Sequence, residues 1–209
     1  MLNYEYLLQG GIHRLSHVYR YSSLPTLRKE NVSEHTFYVA LYAMFIARDV
    51  EQLALADPDI SVRAVVDYAK LLSRALLHDL DESHTGDFLR VVKYGHPQLK
   101  SILDELATSL VGKIQSELGI DFMSTWKNAK DGDLEGLIVE IADFARVVSY
   151  VLEETQSGNS HLGRILPEVR VYLEKLKDSP KWDEKTRKLC SSPITSILDV
   201  IDKEQPCEY

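Results

Sequence analysis

The sequence has few cysteines and no run of apolar residues long enough to anchor it in a membrane. Its two cysteines, Cys190 and Cys207, are too few for a disulfide framework and do not have the spacing of a metal site. We therefore expect a reducing, cytoplasmic setting. The first ten residues lack the basic and apolar regions of a signal peptide. No stretch of about eighteen apolar residues occurs, so no membrane partner is expected.

Basic residues are also in the minority. The formal net charge is -8, which argues against binding to a nucleic-acid polymer, because such binding normally needs a basic stripe. A small phosphorylated ligand remains compatible, since a local cluster of cations can overcome the overall sign. Apolar residues make up 44% of the 209 residues, which is typical of a globular protein and predicts one domain over 1–209.

Sustained alternation of apolar and polar residues is absent, so strands are not expected. Proline and glycine fall between stretches of helical periodicity, which predicts an all-α fold. Either Asn31 or Ser33 can cap the second helix, which is apolar nearly all round and is expected in the core. We predict helices over 3–10, from 31 or 33 to about 55, and over 61–78, 97–118, 133–154, 164–177 and 183–202, a loop over 80–94, and a short helix or loop over 121–132.

Polar residues interrupt the apolar helices at three places. His35 begins the second helix, His78 and Asp79 follow an apolar run, and Asp143 lies inside the most apolar helix. A buried carboxylate is costly unless a cation or hydrogen bonds compensate it. Taken singly, His35 is compatible with a structural role, and Asp143 with an ion pair to Arg146 three residues later. Together, two imidazoles and two carboxylates suit a divalent metal such as Mn, Fe, Co, Ni or Zn.

The order His35, His78-Asp79, Asp143 resembles the HD superfamily of phosphohydrolases. The segments Asn31-Val32-Ser33-Glu34-His35, His78-Asp79-Leu80-Asp81-Glu82-Ser83-His84-Thr85-Gly86-Asp87 and Ala142-Asp143 are similar to those of the YfbR-type 5′-deoxynucleotidases. The resemblance covers about residues 12–160. It implies an HD-domain helical bundle, with C-terminal helices over 161–209 packed on the motif region.

The resemblance also implies roles for individual residues. One divalent ion (Co²⁺, Mn²⁺, Zn²⁺ or Mg²⁺) would be held by His35, His78, Asp79 and Asp143. Glu82 would position or deprotonate the attacking water, with help from Asp87. A deoxynucleotide substrate would contact Arg20, Tyr21, Ser33, Thr85, Leu89 and Lys93, with Arg20 and Lys93 on the phosphate. For Ser33 and Thr85, a helix cap and a turn residue are equally good interpretations.

Two departures from the family pattern leave the substrate open. Tyr21 stands where the family usually has a tryptophan that excludes a ribose 2′-hydroxyl, and Phe88–Lys93 lacks the family's prolines. The main hypothesis is a 5′-nucleotidase acting on deoxynucleoside monophosphates. One alternative is a triphosphohydrolase similar to the phage dATP enzymes, and another is a non-catalytic nucleotide-binding protein. We also expect a homo-oligomer, because the apolar faces of the C-terminal helices could pack on the core or on a neighbouring copy.

Overall fold

The computed structural model describes residues 1–56, 66–88, 93 and 95–204. In this part of the chain the β structure is limited to one antiparallel bridge between Tyr19 and Asn31, so the all-α prediction is confirmed. The α-helices are α1 (Tyr4–Gln9), α2 (Val32–Ala56), α3 (Tyr68–Leu77), α4 (Glu82–Thr85), α5 (Pro97–Leu118), α6 (Met123–Lys127), α7 (Leu134–Gln156), α8 (Ile165–Lys177) and α9 (Glu184–Glu204), with 3₁₀ turns at Gly11–Ser16 and Leu162–Arg164.

Local signals in the sequence account for most helix ends. Asn31, and not Ser33, caps α2, because its Oδ1 accepts the backbone N–H of Glu34 at 2.9 Å. Asp133 caps α7 in the same way through the N–H of Gly136, at 3.1 Å. Helix α5 starts at Pro97, and it ends before Gly119, whose φ of 71° lies in the left-handed region.

Two helix predictions need comment. Helix α3 begins at Tyr68 because the side chain of Asp67 accepts the N–H of Lys70 at 3.0 Å; the predicted cap Ser61 lies outside the described residues. The segment predicted as a loop over 80–94 contains the one-turn helix α4, so that prediction is wrong there. The turn closes through the N–H of Gly86, which donates to the carbonyl of Glu82 at 3.0 Å.

One hydrophobic core joins α2, α3, α7, α8 and α9, and it defines a single domain. The apolar residues that the sequence placed on the C-terminal helices are buried in it, so these helices pack on the core. The fully buried members include Val39, Leu71, Ile138, Ile141, Leu173 and Ile194. A smaller cluster around Leu80, Ile114 and Leu118 joins α5 to the N-terminal segment.

Helix α2 is less buried than its sequence suggests. It packs on α3 and α7 through one face, but Phe37 and Phe45 on its other side are 60% and 57% exposed. The helix therefore lies in the core as expected, but one of its apolar sides is exposed. The reason is that no described helix covers the side that carries these two rings.

Within the described ranges, no helix combines the length and the apolar character needed to cross a membrane. The longest, α2 and α7, span 25 and 23 residues. Both carry charged side chains in or near their middle, such as Arg48 in α2 and Asp143 in α7.

Candidate metal centre

Three helices bring the four predicted metal ligands together. His35 lies in the first turn of α2, His78 caps the end of α3 and is followed by Asp79, and Asp143 lies midway along α7. One donor atom each from His35, His78 and Asp79 lies within 4.8 Å of the others. Asp143 joins this cluster through its Oδ1, which is 3.0 Å from Nε2 of His35.

Most donor atoms of this cluster have no hydrogen-bond partner among the described residues, whereas Oδ2 of Asp79 accepts from Nη1 of Arg20 at 3.4 Å. Nε2 of His35, Nε2 of His78 and Oδ1 of Asp143 are buried and have no hydrogen-bond partner in the part of the chain that the structure describes. Nε2 of His78 is 2.9 Å from Oδ2 of Asp79. Two imidazoles and two carboxylates that converge, with buried polar atoms left without a described hydrogen-bond partner, form a donor set that a bound cation would satisfy, so these residues fit a divalent metal.

The surroundings of the two imidazoles fit a role as metal ligands. Nδ1 of His78 lies 2.7 Å from the carbonyl of Ala75, and its proton donates there, which leaves the lone pair on Nε2 for a ligand. His35 is fully buried, and burial, aided by the charge of Arg20, lowers its pKa to about 3. The ring of His35 therefore presents a neutral nitrogen donor at physiological pH, and the ring of His78 directs Nε2 at the cluster.

The carboxylates stay ionised although they are mostly buried. Burial opposes their charge, but His78 and Lys130 hold the pKa of Asp79 below its ordinary value. The pKa of Asp143 is likewise lowered, chiefly by Lys130 and His35, against the effect of burial. Nζ of Lys130 lies 2.6 Å from Oδ2 of Asp143, so the oxygen that does not face His35 is held by an ammonium group.

The alternative ion pair between Asp143 and Arg146 does not form. Arg146 instead donates from Nε to Oε1 of Glu30 at 2.6 Å. The difference arises because Arg146 lies on another side of α7, over the ring of Tyr38 at 4.2 Å from its centroid. Asp143 therefore keeps one oxygen directed at the cluster.

A short antiparallel pairing places Arg20 beside the cluster. The N–H of Arg20 donates to the carbonyl of Glu30 at 2.9 Å, and the N–H of Val32 donates to the carbonyl of Val18 at 2.9 Å. This fixes Arg20 next to the start of α2, with Nη1 at 3.4 Å from Oδ2 of Asp79. A guanidinium at this position can bind a phosphate oxygen at the same cluster.

Tyr21 adopts an uncommon backbone conformation next to the site. Its φ is 55°, in the left-handed region that side chains other than glycine rarely adopt. The ring stacks on Tyr150 with centroids 5.4 Å apart, and its N–H donates to Oδ2 of Asp87 at 3.3 Å. Strain of this kind, about 1–3 kcal/mol, is typical of functional sites. The contact with the sugar, predicted from the resemblance, stays a prediction.

The two predicted catalytic carboxylates lie near Arg20 and Asp79. Burial, followed by the negative charge of Asp79, raises the pKa of Glu82 well above its ordinary value. Burial also raises the pKa of Asp87, although Arg20 opposes the shift. Oε2 of Glu82 is buried without a described hydrogen-bond partner. A carboxylate in this state is a suitable proton acceptor.

The other predicted substrate residues are dispersed. Thr85 and Lys93 line one small cleft with Glu82. The hydroxyl of Thr85 also donates to the carbonyl of Asp81 at 3.2 Å, as a turn residue would. Ser33 is exposed and lines a separate apolar groove with Ile12, Leu77, Phe122 and others. Leu89 lies outside the described residues.

The sequence prediction missed Lys130 and Glu30. Lys130 precedes Asp143 by thirteen residues, in the turn that leads into α7. Oε2 of Glu30 lies 3.9 Å from Nε of Arg20 and 4.0 Å from Nδ1 of His35. For Lys130, the only indication in the sequence was its position beside the glycine-containing turn Asp131-Gly132. For Glu30, it was the position directly before the motif Asn31–His35.

An all-α fold with a His, His-Asp, Asp cluster on three helices defines the chain as an HD-type, divalent-metal-dependent hydrolase. The family model described as 5′-deoxynucleotidase YfbR-like matches residues 8–185. The chain therefore belongs to the YfbR-like 5′-deoxynucleotidase family, and the resemblance seen in the sequence is confirmed.

A curated relative agrees with this assignment, and two solved structures share the fold. A 5′-deoxynucleotidase of Enterobacter sp. (strain 638) is 29% identical over 177 residues, which are 83% of each chain. An HD-domain phosphohydrolase of Listeria innocua has the same fold, with a TM-score of 0.70, 24% identity and coverage of 96% of this chain and 92% of that one. An HD phosphohydrolase of cyanophage S-2L, solved with dA and one catalytic Zn²⁺ ion, has a TM-score of 0.55, 19% identity and coverage of 93% and 96%.

Proposed function

We propose that this chain is a 5′-deoxynucleotidase that hydrolyses deoxynucleoside monophosphates to a deoxynucleoside and phosphate. The observation that carries the proposal is the convergence of donor atoms from His35, His78 and Asp79, which Asp143 joins at 3.0 Å from Nε2 of His35. This cluster lies beside a guanidinium and two carboxylates with raised pKa values. The family and the relative from Enterobacter, itself a 5′-deoxynucleotidase, support the same substrate class.

In this proposal the four cluster residues hold one divalent ion, which would act as a Lewis acid toward the phosphoryl group and make a bound water more acidic. Arg20 binds and orients the phosphate, because its Nη1 lies 3.4 Å from Oδ2 of Asp79 and so stands next to the proposed ion. Glu82 accepts the proton of the attacking water. Asp87 holds the backbone of Tyr21 through its N–H at 3.3 Å and assists Glu82.

The proposed selectivity for deoxyribose rests on Tyr21. Its ring is held by Tyr150 at a centroid distance of 5.4 Å, and burial raises the pKa of its hydroxyl. The phenol therefore stays protonated. A rigid, buried ring beside the phosphate site is suited to exclude a bulky 2′-substituent from the sugar that it faces.

The test is a turnover panel on metal-stripped protein with Mn²⁺, Co²⁺, Mg²⁺ or Zn²⁺ restored. Substrates are deoxy- and ribonucleoside mono- and triphosphates of every base, and products are separated by chromatography. We expect phosphate and nucleoside from deoxynucleoside monophosphates. Release of triphosphate from a deoxynucleoside triphosphate would overturn this in favour of a triphosphohydrolase, and binding without turnover under any metal would indicate a non-catalytic nucleotide-binding protein.

Two variants sharpen the panel. Glu82→Gln removes the proposed proton acceptor, and Glu168→Gln is its matched control, because Glu168 is exposed on α8. Loss of turnover in the first variant and full turnover in the second supports the assignment. Full turnover of metal-loaded Glu82→Gln would contradict the role of Glu82.

We also propose that the chain self-associates. The support is the exposed side of α2, where Phe37 and Phe45 are 60% and 57% exposed and lie about two turns apart. Most apolar residues of α8 and α9 are buried in the core, and the exposed ones are the smaller side chains Val171 and Val200. We expect a dimeric or larger mass in light scattering at micromolar concentration and a smaller one for the double variant Phe37→Glu, Phe45→Glu. A monomeric mass for the unmodified protein would contradict the proposal.

A further inference from the structure

Two cations pair with the carboxylates of the metal-ligand cluster. Nη1 of Arg20 is 3.4 Å from Oδ2 of Asp79, and Nζ of Lys130 is 2.6 Å from Oδ2 of Asp143. The imidazoles of the cluster are shielded from solvent, whereas the side chains of Arg20 and Lys130 are 12% and 29% exposed. Lys130 is also more exposed than Asp143, at 16%, so its ammonium is accessible to a substrate that arrives from the solvent.

We propose that Lys130 is a second cationic contact for the substrate phosphate, acting together with Arg20. The inference rests on the proposed function, since it assigns a further residue to the same site. Lys130 is outside the motifs His35, His78-Asp79 and Asp143, and it comes from the turn before α7. Its ammonium would bind an oxygen of the phosphate that sits against the divalent ion.

The charge of the site favours a further cation near the phosphate. Asp79, Asp143, Glu82 and Asp87, when ionised, carry one negative charge more than a divalent ion and Arg20 can balance. Lys93 does not remove the excess, because it lines its cleft together with a further carboxylate, Asp81. Lys130 supplies the missing positive charge. Without it, a phosphate dianion would enter a site of net negative charge, at an energetic cost that is large at short range.

The turn that carries Lys130 is held in place. The carbonyl of Lys130 accepts a hydrogen bond from Nζ of Lys181, and the same ammonium pairs with Oε2 of Glu140 at 3.1 Å. The turn ends at Asp133, which caps α7 and pairs with Arg74. Ala129 is buried beneath it. A cation on a fixed backbone loses little freedom when it binds an anion, which favours affinity.

A purely structural role makes a different prediction. If Lys130 only neutralised or oriented Asp143, its removal would weaken metal binding. If it binds phosphate, its removal weakens anion binding and leaves metal affinity unchanged or higher, because an ammonium near a divalent ion repels it. The two affinities, measured separately, distinguish the roles.

The experiment compares Lys130→Met with Lys127→Met, whose lysine is exposed on the adjoining helix α6. Inorganic phosphate is titrated calorimetrically into Mn²⁺-loaded protein, and Mn²⁺ into metal-stripped protein. We expect the phosphate dissociation constant of Lys130→Met to rise about tenfold or more, with Mn²⁺ affinity not reduced. Lys127→Met should match the unmodified protein. Lys130→Arg should recover most of the phosphate affinity, since a guanidinium is also a cation.

Unchanged phosphate affinity in folded Lys130→Met, or a loss explained by weaker Mn²⁺ binding, would overturn the inference. If Lys130→Met fails to fold, Lys130→Gln takes its place with the same expectation. The proposed function fails separately: a protein that binds phosphate through Lys130 but does not hydrolyse deoxynucleoside monophosphates would refute that function and retain the contact. If the unmodified protein hydrolyses deoxynucleoside monophosphates but Lys130→Met binds phosphate as tightly as it does, the function is retained and the contact is refuted.

Discussion

Nε of Arg146 lies 2.6 Å from Oε1 of Glu30, and both side chains are almost completely shielded from solvent, at 0% and 1% exposure. This ion pair ties the middle of α7 to the residue that precedes the cap of α2. Glu30 also approaches Arg20 and His35 through its other oxygen, at 3.9 and 4.0 Å. The pair therefore lies beside both the segment that carries Arg20 and the imidazole of His35.

Breaking this pair on one side should be strongly destabilising. Arg146→Met leaves Glu30 buried without its main counter-charge, and we expect it to cost about 3–5 kcal/mol of unfolding free energy. The double variant Arg146→Met, Glu30→Gln removes both charges and should lose clearly less than the sum of the single variants. Urea unfolding of all three measures this, and additive losses would show that the two residues do not interact.

Metal binding should stabilise the protein. A divalent ion at about one hundred times its dissociation constant adds about 2.7 kcal/mol to the unfolding free energy, and a chelator should remove this increment and the activity. His78→Ala takes away a nitrogen donor that lies 2.9 Å from Oδ2 of Asp79, so its Tm should hardly respond to metal.

His96→Ala is the control for this measurement, because His96 is exposed at the start of α5. Its Tm should rise on addition of metal as in the unmodified protein. An equal metal-dependent rise in His78→Ala would argue that the ion binds elsewhere.

Features encoded by neighbouring residues were predictable from the sequence. The bounds of α5 follow from Pro97 and Gly119, each of which acts on its own backbone. The polar residues His35, Asp79 and Asp143 were conspicuous because each interrupts an apolar segment, and burial of an uncompensated charge is costly wherever it occurs. The family resemblance then supplied the roles of Arg20 and Glu82, which the residues alone did not indicate.

Features that depend on tertiary packing were not predictable. Glu30 and Arg146 are 116 residues apart, and nothing in either local sequence selects the other as partner. Arg146 stands three residues after Asp143, but its guanidinium lies over the ring of Tyr38. Lys130, from the turn before α7, pairs with Asp143 instead. The left-handed φ of Tyr21 is also a product of its surroundings, since it is not glycine and packs on Tyr150.

Glu82 should control the acidic side of the pH–rate profile. Burial and the charge of Asp79 raise its pKa, and only its ionised form accepts a proton. Turnover should therefore fall as the pH is lowered through a value above the ordinary glutamate pKa of 4.5. Glu82→Gln should reduce kcat about 10²–10⁴-fold and abolish this dependence.

The profile is measured at saturating metal, so that ligand protonation does not contribute to it. Glu168→Gln should reproduce the profile of the unmodified protein. If Glu82→Gln keeps the acidic limb at reduced turnover, the limb belongs to another group, and Asp87, whose pKa burial also raises, is the next to test.

Glu154 should make stability depend on pH in the acid range. Its carboxylate accepts the N–H groups of Leu27 and Arg28 at 2.8 and 2.7 Å and the amide of Asn159 at 2.7 Å. Burial opposes the charge, yet these donors hold its pKa below the ordinary value of 4.5. A carboxylate with a lowered pKa stabilises the fold at any pH above its pKa in the unfolded chain, and this contribution is lost as the pH falls through its pKa in the folded protein.

Glu154→Gln should therefore cost about 1–3 kcal/mol of unfolding free energy at neutral pH and progressively less below about pH 4.5. Urea unfolding across this range, with Glu168→Gln as a control that stays within about 0.5 kcal/mol of the unmodified protein, measures the difference. A deficit independent of pH would mean that the charge of Glu154 does not contribute, and that the amide only packs less well against the segment that leads from Tyr21 to α2.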